Sequence, residues 1–405
     1  MVHREFYLEK IRPFVGTDVV KVVTGLRRSG KSVLLEQMRD ELLARSKGTK
    51  IVYLDFEDQA NAALLDGAEL HRRLASEIDG ANGAPVAVFL DEISDVEGWE
   101  TAVNSIRKKP NADLYLTGSN SKLLSGELAT HLTGRFVEIG IAPFSFSEFR
   151  EAAAPLFPDR DDASLFDLYL ERGGLPFLAK VGYDAEASRQ SLGDLFWAIL
   201  SKDVVRRKEI RDVDLLERVV RFAFAESGHP FSARSVVRFL KSERRSTTAE
   251  TVLNHLGACG EAFLLQRVDR EDLPGKRLLS VDEKYYAADH GLRRAVVGGN
   301  AGADVDQVLE GVVLRELVRR GWRTTVGRLC DREIDFVCER AGERRYVQVA
   351  YLMPTPETRE REFGSLEAIG DQWPKLVLSL DRRDMGRNGV RHRYLPDFLL
   401  DPDSI

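Results

Sequence analysis

Two groups of residues could do chemistry together. The first is Gly25-Leu26-Arg27-Arg28-Ser29-Gly30-Lys31-Ser32; the second is Asp91-Glu92, which closes an apolar stretch roughly sixty residues later. Glycines at 25 and 30 permit backbone angles that turn successive N–H groups toward one anion, and a helix beginning at Ser32 adds its positive end. Gly25, Arg27, Arg28, Ser29, Gly30, Lys31, Ser32 and Val33 are therefore the expected phosphate-binding residues, and ATP with Mg²⁺ the expected ligands. Lys31 would meet the β- and γ-phosphates, while the Ser32 hydroxyl would hold the metal. Asp91 would be the second metal ligand and Glu92 the group that polarises the attacking water.

The elements that must position these groups are legible around them. Val19 to Val23 is a β-branched run ending at Thr24-Gly25, and Ser32 to Met38 begins a helical pattern, giving strand, loop and helix in order. Val86 to Leu90 reads as a buried parallel strand that delivers Asp91 and Glu92 at its carboxyl end. A third strand, Asp113 to Thr117, leads into Gly118-Ser119-Asn120-Ser121, where Ser119 or Asn120 could sense the γ-phosphate. Arg135, in Leu132-Thr133-Gly134-Arg135-Phe136, is the candidate arginine finger, with Arg27 and Arg28 competing for that role.

GLRRSGKS, VAVFLDE, LYLTGSN and HLTGRFVEIGIAPFSFSEF together resemble the prokaryotic AAA-type ATPases whose carboxyl half is a domain of unknown function. KYYAADHGL at 284–292, EIDFV at 333–337 and YVQV at 346–349 resemble the second half of the same family. The resemblance covers essentially the whole chain. It implies an α/β fold: an AAA-like parallel sheet, a winged helix-turn-helix and a nuclease-like αβ terminal domain.

Read from residues, 1–144 is a P-loop core and 145–212 a helical lid, with Leu165, Phe166, Leu168 and Tyr169 at helical spacing and a Gly173-Gly174-Leu175-Pro176 break. The charged stretch Lys202-Asp203 and Arg206-Arg207-Lys208 could face a neighbouring subunit or nucleic acid. Residues 213–300 carry three short helices, Leu215–Ala225, Ser232–Leu240 and Thr247–Leu256, as in a helix-turn-helix. Its third helix would offer Thr247, Thr248, Thr251, Asn254 and His255 to DNA bases, with Lys241, Arg244 and Arg245 on phosphates and a wing in 263–268 and 284–287. Glu250 on that helix would repel phosphates, so a purely structural use stays open.

In 301–405, a helix, three strands, a helix and a strand give an αβββαβ order that resembles the PD-(D/E)XK nuclease core. That resemblance implies ligands at Glu310 and Asp335. The third strand reads Gln348-Val349-Ala350, so an amide replaces the second carboxylate and alanine the lysine. A neutral amide is a poor Mg²⁺ partner, and the domain is expected to be an inactive, degenerate nuclease fold that holds DNA or assists assembly.

A net charge of −6 excludes indiscriminate coating of polyanions but leaves a local basic face possible. Cys259, Cys330 and Cys338 show no disulfide or zinc spacing. The charged start MVHREFYLEKIRPF and the lack of a long apolar run point to a cytoplasmic chain. The expected activity is ATP hydrolysis by an oligomer, a hexameric ring among the options, coupled to DNA binding, translocation or remodelling. The alternatives are a nucleotide-switched regulator and an active metal-dependent nuclease.

Overall fold

The computed structural model describes residues 2–46, 48–121, 134–275, 277–298 and 304–401. They form two compact units: one holds the residues up to Ala142 with Glu261–Phe263, the other the remaining described residues.

The first unit is built on five parallel strands, β1 (Val20–Thr24), β2 (Lys50–Asp55), β3 (Val86–Asp91), β4 (Ala112–Gly118) and β5 (Phe136–Gly140), in the order β2-β3-β4-β1-β5. The three central strands are buried along their whole length, which explains their near-continuous apolar sequences. Successive side chains enter opposite layers. Val20, Val22, Val86, Val88, Leu114 and Leu116 fill one core, while Val23, Ala87, Phe89 and Tyr115 fill the other. On that second face Tyr53, Phe89 and Tyr115 stack across β2, β3 and β4, with ring centroids 5.9 and 4.6 Å apart. A buried cation interrupts the apolar run: Lys21 on β1 pairs with Asp113 at the start of β4, and Tyr115 donates to the same carboxylate at 2.7 Å.

The second unit starts with helices Phe146–Ala153, Asp162–Arg172 and Ala185–Ala198, begun respectively by a Ser145–Glu148 capping box and by Asp161 and Asp184 caps. A π-helical segment, Ile199–Val205, follows. The stretch read as a lid is thus compacted with the residues that follow it. Its Gly173-Gly174 break takes a specific docking partner, because the buried Asp289 carboxylate accepts the Gly174 N–H at 2.7 Å and the Leu292 N–H at 2.8 Å. At Gly291 a Cβ would lie 2.0 Å from the Arg172 carbonyl oxygen, so this contact admits only glycine.

Helices Val213–Ala225, Ala233–Ser242 and Ala249–Glu261 follow, close to the expected ranges. The remaining strands are β6 (Leu265–Asp272), β7 (Arg277–Ala287), β8 (Arg323–Leu329), β9 (Arg332–Arg340), β10 (Glu343–Val349), β11 (Lys375–Ser379) and β12 (Val390–Tyr394). They make one mixed sheet, β12-β11-β10-β9-β8-β6-β7. The hairpin β6–β7, expected above as a wing, and the terminal strands, read above as parts of separate domains, share a sheet through the parallel β6–β8 pairing. Helices Val305–Arg319 and Pro356–Glu367 occur where the αβββαβ order requires them.

Candidate nucleotide site and a buried terminal cleft

At the carboxyl end of β1 the chain turns through Gly25 (φ 148°) and Gly30 (φ 99°) into the helix Lys31–Arg45. A Cβ on Gly25 would meet the Ile141 carbonyl oxygen at 2.2 Å, so glycine is required there by space as well as by angle. Lys31 curls back over its own loop, its ammonium 3.2 Å from Gly25 O and 3.4 Å from Leu26 O. It also lies 3.1 Å from the Glu92 carboxylate. Ser32 is exposed at the mouth of the loop, whereas Ser29 is fully buried.

Asp91 ends β3 and Glu92 follows it at the start of the short helix Ile93–Asp95, so the two have different surroundings. Asp91 accepts the Tyr53 hydroxyl at 2.9 Å and the Thr117 hydroxyl, and the Thr117 oxygen in turn accepts the Glu92 N–H at 2.8 Å. Burial and the Asp91 charge push the Tyr53 phenol upward, so it stays a donor. Glu92 sits in the left-handed region (φ 53°), which turns its side chain back toward Lys31 and the Ser119 N–H, 3.2 Å away. Ser119 and Asn120 are buried beside this group.

Asp55 had no signal in the sequence. It pairs in register with Asp91 at the end of β2, and burial, then Asp91 among its acidic neighbours, raises its carboxyl above the usual range. One exposed hydroxyl with hard carboxylate oxygens nearby fits Mg²⁺ brought in on nucleotide phosphates, the usual way this ion is held. Arg27 pairs with Glu57 at 2.9 Å, and Arg28 is exposed.

Arg4 was likewise missed. Its buried guanidinium donates to Ser29 O at 3.1 Å and to Ala142 O at 3.0 Å, bracing the loop from beneath.

Arg135 lies elsewhere. It precedes Phe136, the partner of Val20 at the amino end of β1, and its carbonyl accepts the Val20 N–H at 2.9 Å. The P-loop leaves the other end of that strand, about 16 Å away at roughly 3.3 Å per residue. Arg135 therefore stands at the end of β1 opposite its own chain's P-loop. It lines a notch of about 430 Å³ with Arg107, Lys108, Lys109 and Asp18. Arg107 is buried, 3.6 Å from Asp18, and burial and Arg135 both lower its pKa. Leu132 and Thr133 lie outside the described residues.

In the second unit, helix Ala249–Glu261 contains no lysine or arginine, and Glu250, Leu253 and Asn254 are exposed on it. His255, expected to read bases, is buried, and Thr248 is the cap that accepts the Thr251 N–H at 3.1 Å. Thr247 is half-buried. Lys241 is exposed in the last turn of helix Ala233–Ser242, and Arg244 and Arg245 are exposed in the segment after it, Arg245 paired with Asp214 at 2.5 Å.

The terminal cleft brings Glu310, Asp335 and Gln348 together, all nearly buried. A lysine is present after all. Lys284 of β7 lies 2.8 Å from Glu333 and 3.2 Å from Glu310, which also accepts the Tyr286 hydroxyl at 2.8 Å. Burial opposes the Lys284 charge, but Glu310, Asp335 and Glu333 outweigh it and hold the ammonium above its ordinary range. Gln348 donates to Glu362 at 3.1 Å, and Asp335 accepts the Val349 N–H at 2.8 Å.

The chain is 35% identical over 402 residues to an uncharacterized protein of Haemophilus influenzae, with 99% of each chain covered. It belongs to that protein's family. An uncharacterized protein of Methanocaldococcus jannaschii is 26% identical over 367 residues, covering 87% of this chain and 79% of the relative. A family model described as an AAA domain matches residues 17–150, and one described as a domain of unknown function matches 163–303. Among solved structures, the replication initiator DnaA bound to AMPPCP and single-stranded DNA is 15% identical, covering 63% of this chain and 86% of that one at a TM-score of 0.34. A signal-transduction ATPase with a tetratricopeptide repeat sensor from Pyrococcus horikoshii is 13% identical, covering 92% and 48% at 0.31. The first unit is an AAA-type P-loop domain on a parallel five-stranded sheet. Among the described residues no helix is long and apolar enough to cross a membrane.

Proposed function

We propose that this family member hydrolyses ATP as a self-assembling AAA-type ATPase, with Arg135 of one copy completing the site of the next. The observation that carries this reading is the separation of parts on β1: Lys31, Ser32, Asp91 and Glu92 gather at one end, and Arg135 at the other. A finger that cannot reach its own site can reach a neighbour's if copies pack end against end. Arg107 beside it keeps the notch strongly cationic, which suits an anionic γ-phosphate.

In the hydrolysis itself, Glu92 takes a proton from water as the water oxygen bonds to the γ-phosphorus. The bond from that phosphorus to the ADP oxygen breaks, and ADP and inorganic phosphate leave. Lys31 exchanges its loop carbonyls and Glu92 for phosphate oxygens, which frees Glu92 to face the water. Mg²⁺, held by Ser32 and Asp91, would offset charge on the β- and γ-phosphates. Asn120 would orient the γ-phosphate.

The partner we assign to this work is DNA, gripped on its backbone by Lys241 at the end of helix Ala233–Ser242 and Arg244 in the turn before the third helix. A second reading, a slow nucleotide switch without DNA, is favoured by the absence of any cation on helix Ala249–Glu261. ATP turnover measured with duplex, branched and single-stranded DNA, alongside oligomeric mass, separates them. DNA-stimulated turnover is expected. Slow turnover indifferent to every DNA would leave the switch, and a monomer at saturating ATP would remove Arg135 from the mechanism. Mixing Arg135→Ala with Glu92→Gln protein should regain activity that neither variant has alone, because mixed assemblies contain whole sites.

A further inference from the structure

A PD-(D/E)XK-like cleft implies a divalent metal, and the residues in this one do not fit it. Gln348 offers a neutral amide and Ala350 nothing, while Glu310, Asp335 and Gln348 are each less than a tenth exposed. Mg²⁺ needs six oxygen ligands and keeps several waters, for which such a closed cluster has no place. Among the described residues, no group of three or more His, Cys, Asp or Glu side chains is arranged to hold a metal.

The cleft already contains a cation. Lys284 is 2% exposed, lies between Glu310 and Glu333, and comes from β7, the outer strand of the wing hairpin. Its partners have second partners of their own: Tyr286 donates to Glu310, and Arg270 of β6 pairs with Glu333. Both basic groups belong to the wing, and both carboxylates to the terminal part. Buried ion pairs persist when their remaining lone pairs are filled in this way, and removal of one partner strands the other charge.

We propose that the Lys284 ammonium is the resident cation of this cleft, takes the place a divalent metal would need, and fastens the wing hairpin to the terminal sheet. The missing lysine of the third strand is thereby replaced in position but not in role, since a lysine held by two carboxylates inside the protein cannot meet a phosphodiester.

The test is thermal melting of the full chain, without nucleotide, in the presence and absence of millimolar MnCl₂. Wild-type protein should be indifferent to Mn²⁺ and should cleave no DNA with it. Lys284→Met should melt about 6 °C or more lower, having stranded two carboxylates. Should Lys284→Met fail to fold, Lys284→Met/Glu310→Gln, with one stranded charge removed, should fold and melt higher than any residual Lys284→Met protein. Mn²⁺ stabilisation of the wild type that disappears in Asp335→Asn would overturn the proposal, as would an unchanged melting temperature in Lys284→Met.

Discussion

Lys31 and Lys284 stand in matching surroundings by every simple measure. Each ammonium is buried, each lies about 3 Å from a glutamate, and the glutamates, Glu92 and Glu310, have the same 12% side-chain exposure. What separates them is the rest of each shell. Among the described residues Lys31 otherwise meets two carbonyls of its own loop, beside an exposed Ser32 and a helix start, partners that an incoming phosphate can replace. Lys284 is held by a second carboxylate, and the glutamate it shares is also bonded to Tyr286. Burial with a perturbed charge is thus a poor marker of a ligand site unless the partners are exchangeable.

The largest effect should come from attacking the exchangeable side. Lys31→Ala should lose nucleotide binding by equilibrium titration, whereas Glu92→Gln should keep it and lose turnover by about a thousandfold. Equal loss of binding in both would erase the distinction between phosphate contact and water activation. On stability the ranking should invert, with Lys31→Met melting close to wild type but no longer raised by ATP.

A pH experiment sharpens the internal side. His290 of the second unit is buried, with its rings' two nitrogens engaged by the Tyr169 carbonyl at 2.6 Å and by Arg315 at 2.6 Å. Burial, then Arg315, lowers its pKa to about 4. The folded value lies below the unfolded one, so the folded chain binds fewer protons between about pH 6.5 and pH 4 and loses stability as pH falls through that window, by on the order of 3 kcal/mol. Chemical denaturation across the window should show the slope, and His290→Gln should flatten it.

Gly25→Ala should cost about 1–3 kcal/mol through its collision with Ile141 O and should weaken ATP binding as well, read by melting with and without nucleotide. The smallest change is expected at the surface. Lys241→Ala should lower the salt dependence of DNA binding by about one counterion, leaving turnover without DNA unaltered.

The loop, its strand and helix, and the acidic pair were legible because each is local. The glycine angles, the β-branched run before them and the apolar stretch before Asp91 all act within a few residues. So too were the order of the terminal elements and the substitution at Gln348 and Ala350. Sequence could not place Arg135, since the end of a strand at which a residue sits depends on register against β1, which is a pairing between distant segments. Nor could it find Arg4, Asp55 or Lys284, single charges with no pattern around them that become significant only when strands and helices far apart in sequence close over them. Local chemistry was written in the chain; which charge meets which, and whether it can be let go, was decided by tertiary contact.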